Sequence, residues 1–346
     1  MNKVAIIGDL FMLPDILEDK VRNAVGDNFE IRKLQQPWPD EPMEHGYAVE
    51  GMDGLKEYMG NADEIVQFID DAEILVTHLA PMSKSMFERL PKLKFIAVTR
   101  GGPVNIDMHI AQSRGVTVVN TPGRNASAVA EFTLGAILAE TRLLRVGHES
   151  MRERQWRGDL YRTDRTGREL NEMVVGVIGY GHIGKRVVKL LRAFGSRVLV
   201  NDPYVQLSLD DLNAGVELVS FNTVLKRSDV LTMHARVTDE TEHMMDAEAF
   251  EKMKPDSIFI NTARGPLANY DHLEAALCNG TIGSAMLDTF AVEPLPESSK
   301  FRDLPNLTMT PHIAGASVRT VTYAAEEAAA EIKRFLSNEP LRNVCQ

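Results

Sequence analysis

The sequence predicts an α/β protein of two doubly wound domains, on three observations. Short apolar runs rich in Val and Ile, bounded by Gly, Pro or Asp, alternate with longer amphipathic stretches along the chain, the pattern of buried parallel strands and their covering helices. The 346 residues, 44% of them hydrophobic, are enough for two ordinary domains with a core each. A strand running through closely spaced glycines into a helix stands halfway along, at Met173–Val187, rather than near Met1.

In the first half the strand-like runs are "KVAIIG" from Lys3, "EILVT" from Glu73, "KFIAVT" from Lys94 and "VTVVN" from Val116. The Pro-rich, acidic "QQPWPDEPMEHG" from Gln35 reads as a surface loop. Residues 123–158 then read as one long helix with Asn125 as N-cap. Its small residues Ala128, Gly135, Ala136 and Ala139 would let another helix come close. Arginines at 142, 145, 152, 154, 157, 162, 165 and 168 follow, set against acids at 149, 153, 159 and 164. Such an arm grips a second subunit, helps to bind an anion, or is a solvated face. From Val174 the strand pattern resumes with "VVGVIG", "RVLVND", "GVELV", "VLTMH", "SIFIN", "GSAMLD" and "LTMTP".

A net charge of -11 has the wrong sign for wrapping nucleic acid or coating an anionic membrane, so neither is expected as a partner. Cys278 and Cys345 form no CxxC or zinc-type spacing, and no metal is expected. The N-terminal apolar run is too short for a secretory signal, and no stretch is long enough to span a membrane. A cytoplasmic protein is the expectation.

The glycines explain the mid-chain strand. Gly179, Gly181 and Gly184 in "GYGHIG" suit a tight turn, close backbone approach to a pyrophosphate, and close packing of helix on strand. The phosphates of a dinucleotide would rest on the amides at the helix start, to which His182 gives its backbone rather than its imidazole. Asp202 ends the next strand at the expected distance. A carboxylate there accepts bonds from ribose hydroxyls and repels a 2′-phosphate, so NAD is the expected cofactor. The alternative is that Asp202 only begins a turn before Pro203.

Three further residues follow strands, where a doubly wound sheet places its ligands: Arg264 in "NTARGPL", Glu293 in "LDTFAVEP" and His312 in "TPHIAG". Singly, each has a dull explanation as a turn, loop or chance residue. Together, after a dinucleotide loop, they suit hydride transfer between nicotinamide and a 2-hydroxy acid. That reaction needs a cation to fix the carboxylate and polarise the carbonyl, and an acid/base for the hydroxyl proton. Arg264 suits the first need and His312 the second. Glu293 would orient the imidazole and favour its protonated form.

These motifs, in this order and spacing, resemble the D-isomer-specific 2-hydroxyacid dehydrogenase family of phosphoglycerate, glycerate, hydroxypyruvate and D-lactate dehydrogenases, over Leu93 to Ser317. The resemblance implies that Arg264, Glu293 and His312 are the catalytic set and that Asp288 contacts the nicotinamide carboxamide. Ile183, His234 and Ala263 join the glycines and Asp202 as cofactor residues. It also implies a Rossmann NAD domain, 121–311, inserted into a discontinuous flavodoxin-like substrate domain, 1–120 with 312–346. The crossings would fall at "VNTPG" (119–123) and "TPHIAG" (310–315), and the two jaws would close on the substrate.

"TRGGPVNID" from Thr99 resembles the family segment whose amides bind the substrate carboxylate, with Gly101 and Gly102 allowing close approach. Arg100 departs from the small or apolar residue of many members. It either reads an extra group on the substrate or makes a structural salt bridge. His78, ending the neighbouring strand, is a candidate for the same mouth. The resemblance implies a homodimer, with 126–144 as its contact.

The function expected is NAD-dependent oxidoreduction of a small polar D-2-hydroxy acid, a sugar acid or hydroxypyruvate-like compound. D-3-phosphoglycerate dehydrogenase is a narrower alternative, weakened because the chain ends at Gln346 without room for the regulatory domain some of those enzymes carry. An NAD(H)-sensing corepressor is an alternative of another class. Formate dehydrogenase relatives are disfavoured, since glutamine replaces Glu293 in them.

Overall fold

A computed structural model describes residues 3–38 and 51–345. The chain divides into two compact units, Met1–Asn125 with Ser317–Gln346, and Ala126–Ala316. The changes of unit come somewhat later than the crossings expected at 119–123 and 310–315, and His312 therefore belongs to the second unit. Most of the acidic stretch after Gln35 lies outside the described residues.

The first unit holds five parallel strands: β1 (Lys3–Gly8), β2 (Glu30–Gln35), β3 (Ile74–Thr77), β4 (Phe95–Val98) and β5 (Thr117–Val119), in the order β2-β1-β3-β4-β5. This is the flavodoxin-like doubly wound order. Side-chain alternation fills both faces: Val4, Ile6, Val76 and Phe95 pack on one side, and Ala5, Ile7, Leu75 and Ile96 on the other. The helix Val318–Leu336, from the end of the chain, covers the first of these faces. The tail beyond it runs beside β5, where Cys345 N–H donates to Val118 O at 2.9 Å.

β2 has no counterpart among the expected strands. Its "EIRKLQ" carries no apolar run because it is an edge strand, largely out of the core, with Lys33 paired to Asp15 and Arg32 to Asp71. Charge on an edge discourages pairing with other chains, and it also hides the strand from a hydrophobic pattern.

The second unit holds seven parallel strands: β6 (Val174–Ile178), β7 (Arg197–Asn201), β8 (Glu217–Leu218), β9 (Val230–Met233), β10 (Ile258–Asn261), β11 (Ser284–Leu287) and β12 (Leu307–Met309). Their order, β12-β11-β10-β9-β6-β7-β8, is that of a Rossmann sheet with one added strand. All seven correspond to expected runs. No helix among the described residues is long and apolar enough to cross a membrane.

The single helix expected over 123–158 is corrected to two, Ala126–Thr141 and Leu144–Arg152. Leu143 takes φ 56, a left-handed conformation that ends the first helix. Gly167 packs directly on the Thr141 carbonyl, where any side chain would collide. The apolar pattern runs through the break and cannot reveal it.

Candidate active site in the dinucleotide-binding unit

The glycine loop joins β6 to the helix His182–Ala193. Gly179 has φ 92, and a Cβ there would stand 2.7 Å from the His234 and Ala235 backbone. A Cβ on Gly184 would collide with the Gly179 carbonyl, so the loop lies flat on its helix. Over Gly181 a Cβ would meet nothing within 4 Å, and no side chain caps the first amides of the helix. Open space above uncapped amides fits a pyrophosphate. At the end of β7 the Asp202 carboxylate accepts from Tyr180 N–H at 2.8 Å and, across the turn, from Tyr204 N–H at 3.0 Å. Asp202 thus shapes a turn, one of its two expected roles, and its carboxylate lies beside the glycine loop.

His234 follows β9 and backs Gly179. Its Nε2 lies 3.0 Å from Thr232 Oγ1, and its buried Nδ1 has no partner. Burial pulls its pKa down to about 3, so the ring is neutral. An orphaned polar atom at this place is a second feature suited to a bound dinucleotide.

The candidate catalytic residues follow three neighbouring strands: Arg264 after β10, Glu293 after β11 and His312 after β12. Asn261, fully buried, accepts from Ala263 N–H and donates to Arg264 O, fixing the turn that presents the exposed Arg264. Gly265, just beyond, rests on the Phe290–Ala291 backbone with no room for a side chain. Phe290 N–H in turn donates to Glu293 Oε1 at 2.8 Å. The other oxygen, Oε2, lies 2.8 Å from His312 Nδ1. An ionised carboxylate only accepts, so Nδ1 carries the proton and Nε2 is left for a substrate. Glu293 is nearly buried and His312 about one third exposed. His312 also holds φ 53, a strained conformation for a non-glycine residue.

Asp288 has another task than the one expected. Its carboxylate is wholly buried and accepts from Thr310 Oγ–H at 2.6 Å, and from Ile313 and Ala314 N–H at 2.9 Å each. It ties down the loop that carries His312, rather than presenting itself to a nicotinamide. Asn261 and this role of Asp288 were missed by sequence reasoning. Their signal is a polar residue at the last position of a buried strand or just after it.

In the first unit, Arg100 makes the structural salt bridge: it contacts the Glu57 carboxylate and donates to Glu57 O at 2.8 Å. Gly101 and Gly102 are open, with nothing within 4 Å of an added Cβ. His78 is corrected from a mouth-lining residue to a buried one, 3% exposed and hydrogen-bonded through both ring nitrogens. Among the described residues no group of three or more His, Cys, Asp and Glu is placed to hold a metal ion.

A glycine loop with a carboxylate beside it and an Arg–Glu–His set on adjacent strand ends are the arrangement of an NAD-dependent dehydrogenase. Residues 134–314 match the profile of the D-isomer specific 2-hydroxyacid dehydrogenase NAD-binding domain. The chain is 35% identical over 291 residues to a glycerate dehydrogenase of Methylorubrum extorquens, covering 82% of this chain and 90% of that one. It is 31% identical over 329 residues to a D-3-phosphoglycerate dehydrogenase of Mycobacterium tuberculosis, covering 95% of this chain but 57% of the relative. A D-lactate dehydrogenase structure from Sporolactobacillus sp superposes with TM-score 0.77 at 25% identity, covering 99% of each chain. The chain belongs to the D-isomer specific 2-hydroxyacid dehydrogenase family.

Two outcomes follow from this geometry. Gly184→Ala should weaken NADH binding, measured by fluorescence titration, about tenfold or more and destabilise the fold by about 1–3 kcal/mol, because backbone cannot yield to the new methyl. An unaffected affinity would remove the glycine loop from the cofactor site. Folded His234 stays neutral down to about pH 3, whereas in the unfolded chain it takes a proton near 6.5. The unfolded state binds more protons in that window, so stability falls as pH drops through it. In nucleotide-free denaturation at pH 5, His234→Gln should lose less stability than wild type relative to pH 7.5, by up to about 2 kcal/mol.

Proposed function

We propose that the protein reduces a small, polar 2-keto acid with NADH, and oxidises the matching D-2-hydroxy acid with NAD, the substrate being a sugar acid or hydroxypyruvate-like compound. The observation that carries this is the His312–Glu293 pair at 2.8 Å, on a strand end neighbouring those of Arg264 and the glycine loop's own sheet. NAD, when bound, supplies or accepts the hydride at its nicotinamide ring. Everything else falls to the chain. Arg264 binds the substrate carboxylate and polarises the keto oxygen, stabilising the charge that develops there. In reduction, the protonated His312 gives its Nε2 proton to that oxygen as the carbon gains hydride, leaving a neutral ring. In oxidation the neutral Nε2 removes the hydroxyl proton as hydride departs. Glu293 holds the ring through Nδ1 in both directions. The amides at Gly101 and Gly102 are proposed to bind the carboxylate as well.

The narrower reading as D-3-phosphoglycerate dehydrogenase is supported by the Mycobacterium relative, and the sugar-acid reading by the glycerate dehydrogenase. Cytosolic operation is supported by two free thiols, Cys278 and Cys345. A homodimer is supported by the arm after Leu143. Leu144, Met151, Trp156 and Tyr161 there are 56% to 95% exposed, beside a groove of about 480 Å³ lined by Leu143, Gly147 and Leu160. The helix Ala126–Thr141, the expected contact, packs on the helix His182–Ala193 of its own unit.

The test is NADH oxidation over glyoxylate, hydroxypyruvate, 2-ketogluconate and phosphohydroxypyruvate. His312→Gln should lower kcat about 100- to 10,000-fold on the responsive substrate, with NADH affinity unchanged. Arg264→Met should lower kcat/KM about 100-fold or more. Turnover of none by wild type, or full turnover by His312→Gln, would contradict the assignment.

A further inference from the structure

The connection from β10 to the helix Tyr270–Cys278 carries more than Arg264. Its near end is the turn in which Gly265 rests on the Phe290–Ala291 backbone. Its far end is Tyr270, the first residue of the helix, whose hydroxyl donates to Thr289 O at 2.6 Å. One short segment thus grips the backbone after β11 at two points. Tyr270, Thr289, Phe290, Glu293 and His312 all belong to the second unit.

Thr289 O and Phe290 N–H are the two ends of a single peptide group. On one side that group accepts from Tyr270 Oη–H, and on the other it donates to Glu293 Oε1 at 2.8 Å. Glu293 Oε2 in turn lies 2.8 Å from His312 Nδ1. A hydroxyl that donates to a carbonyl polarises the amide and makes its N–H a better donor. A peptide held at both ends also cannot turn without breaking one of its two bonds. Tyr270 therefore governs the direction and the strength of the N–H that holds Glu293.

The hydroxyl is suited to that task. Burial, and after it the charge of Glu293, push the phenol pKa up, so the group stays protonated and remains a donor. Thr289 is buried, and a buried carbonyl that loses its donor is costly to leave as it stands. Ring packing does not account for a tyrosine here. The ring lies 5.3 Å from that of Phe301 and 6.5 Å from that of Phe290, centre to centre, and a phenylalanine would fill the same space.

We propose that Tyr270 is a positioning residue for the acid/base pair: its hydroxyl, acting through the Thr289–Phe290 peptide, holds the Glu293 carboxylate on His312 Nδ1 and so keeps Nε2 free for the substrate oxygen. This rests on the proposed keto-acid reductase function. Tyr270 itself touches no reacting atom in this scheme.

The test combines Tyr270→Phe, which keeps the ring and removes only the hydroxyl, with Glu293→Gln, in the full chain. On the keto acid that wild type turns over best, Tyr270→Phe should lower kcat about tenfold or more. NADH affinity, by fluorescence titration, should change less than about threefold. In the Glu293→Gln background the same substitution should cost less than about twofold, because the group through which it acts is already lost. A merely structural tyrosine would cost the same factor in both backgrounds. NMR adds a readout that needs no turnover. In Tyr270→Phe the Phe290 amide proton should move upfield as its bond to Glu293 weakens. The neutral His312 ring should then carry its proton on Nε2 in a measurable fraction of molecules, where wild type carries it on Nδ1.

Equal losses in the two backgrounds, or an unchanged Phe290 amide and His312 tautomer, would overturn the role of Tyr270 with the reductase function intact. If wild type reduces no keto acid but Tyr270→Phe still moves the Phe290 amide and the His312 tautomer, the positioning role stands and the reductase reading fails. Should Tyr270→Phe not fold, 3-fluorotyrosine in place of Tyr270, a stronger donor of nearly the same size, decides the matter. It should move the Phe290 amide proton downfield, and no movement counts against the proposal.

Discussion

The bond between His312 Nδ1 and Glu293 Oε2 is the interaction on which the site depends. A histidine on a loop, one third exposed and in a strained backbone conformation, would otherwise be free to turn its ring and to carry its proton on either nitrogen. The carboxylate removes that freedom. Glu293 is itself fixed by Phe290 N–H, and Phe290 presses on the Arg264 turn through Gly265. Three residues distant in sequence are thus linked by direct contacts, and the order β10-β11-β12 supplies their adjacency.

The same device recurs at three strand ends of the two sheets. A buried polar side chain gives up its own contact with water to hold a loop: Asn261 for the arginine turn, Asp288 for the histidine loop, Asp9 for the turn after β1. Each is satisfied by several donors or acceptors, which offsets the cost of burying it. Parallel strands with helices on both faces leave their carboxyl ends as the open edge, so chemistry collects there, on loops that must be held by bonds rather than by packing.

Much of this was legible in the sequence. Buried parallel strands must be apolar throughout, and so the inner strands of the second unit stood out as runs, with Gly179, Gly181 and Gly184 marking the cofactor loop. The Arg264, Glu293 and His312 set was readable because each followed such a run. β2 was not, because an edge strand needs no apolar face. The break at Leu143 was not, because the apolar pattern runs on through it while the backbone turns left-handed at a residue that is not glycine. The tasks of Asp288 and His78 were misjudged for a related reason. A sequence shows that a polar residue follows a strand, whereas whether its side chain turns outward to a ligand or inward to a neighbouring loop depends on loops distant in sequence. Asp9, His78 and Arg124, far apart in the chain, are brought into one hydrogen-bonded row only by the sheet.

The account rests on Glu293 fixing the tautomer of His312, and nitrogen-15 NMR of the histidine ring tests that most directly. With the ring neutral, the account requires the proton on Nδ1 and a bare Nε2, with Glu293→Gln losing that preference. A neutral ring with its proton on Nε2, unchanged by Glu293→Gln, would contradict it.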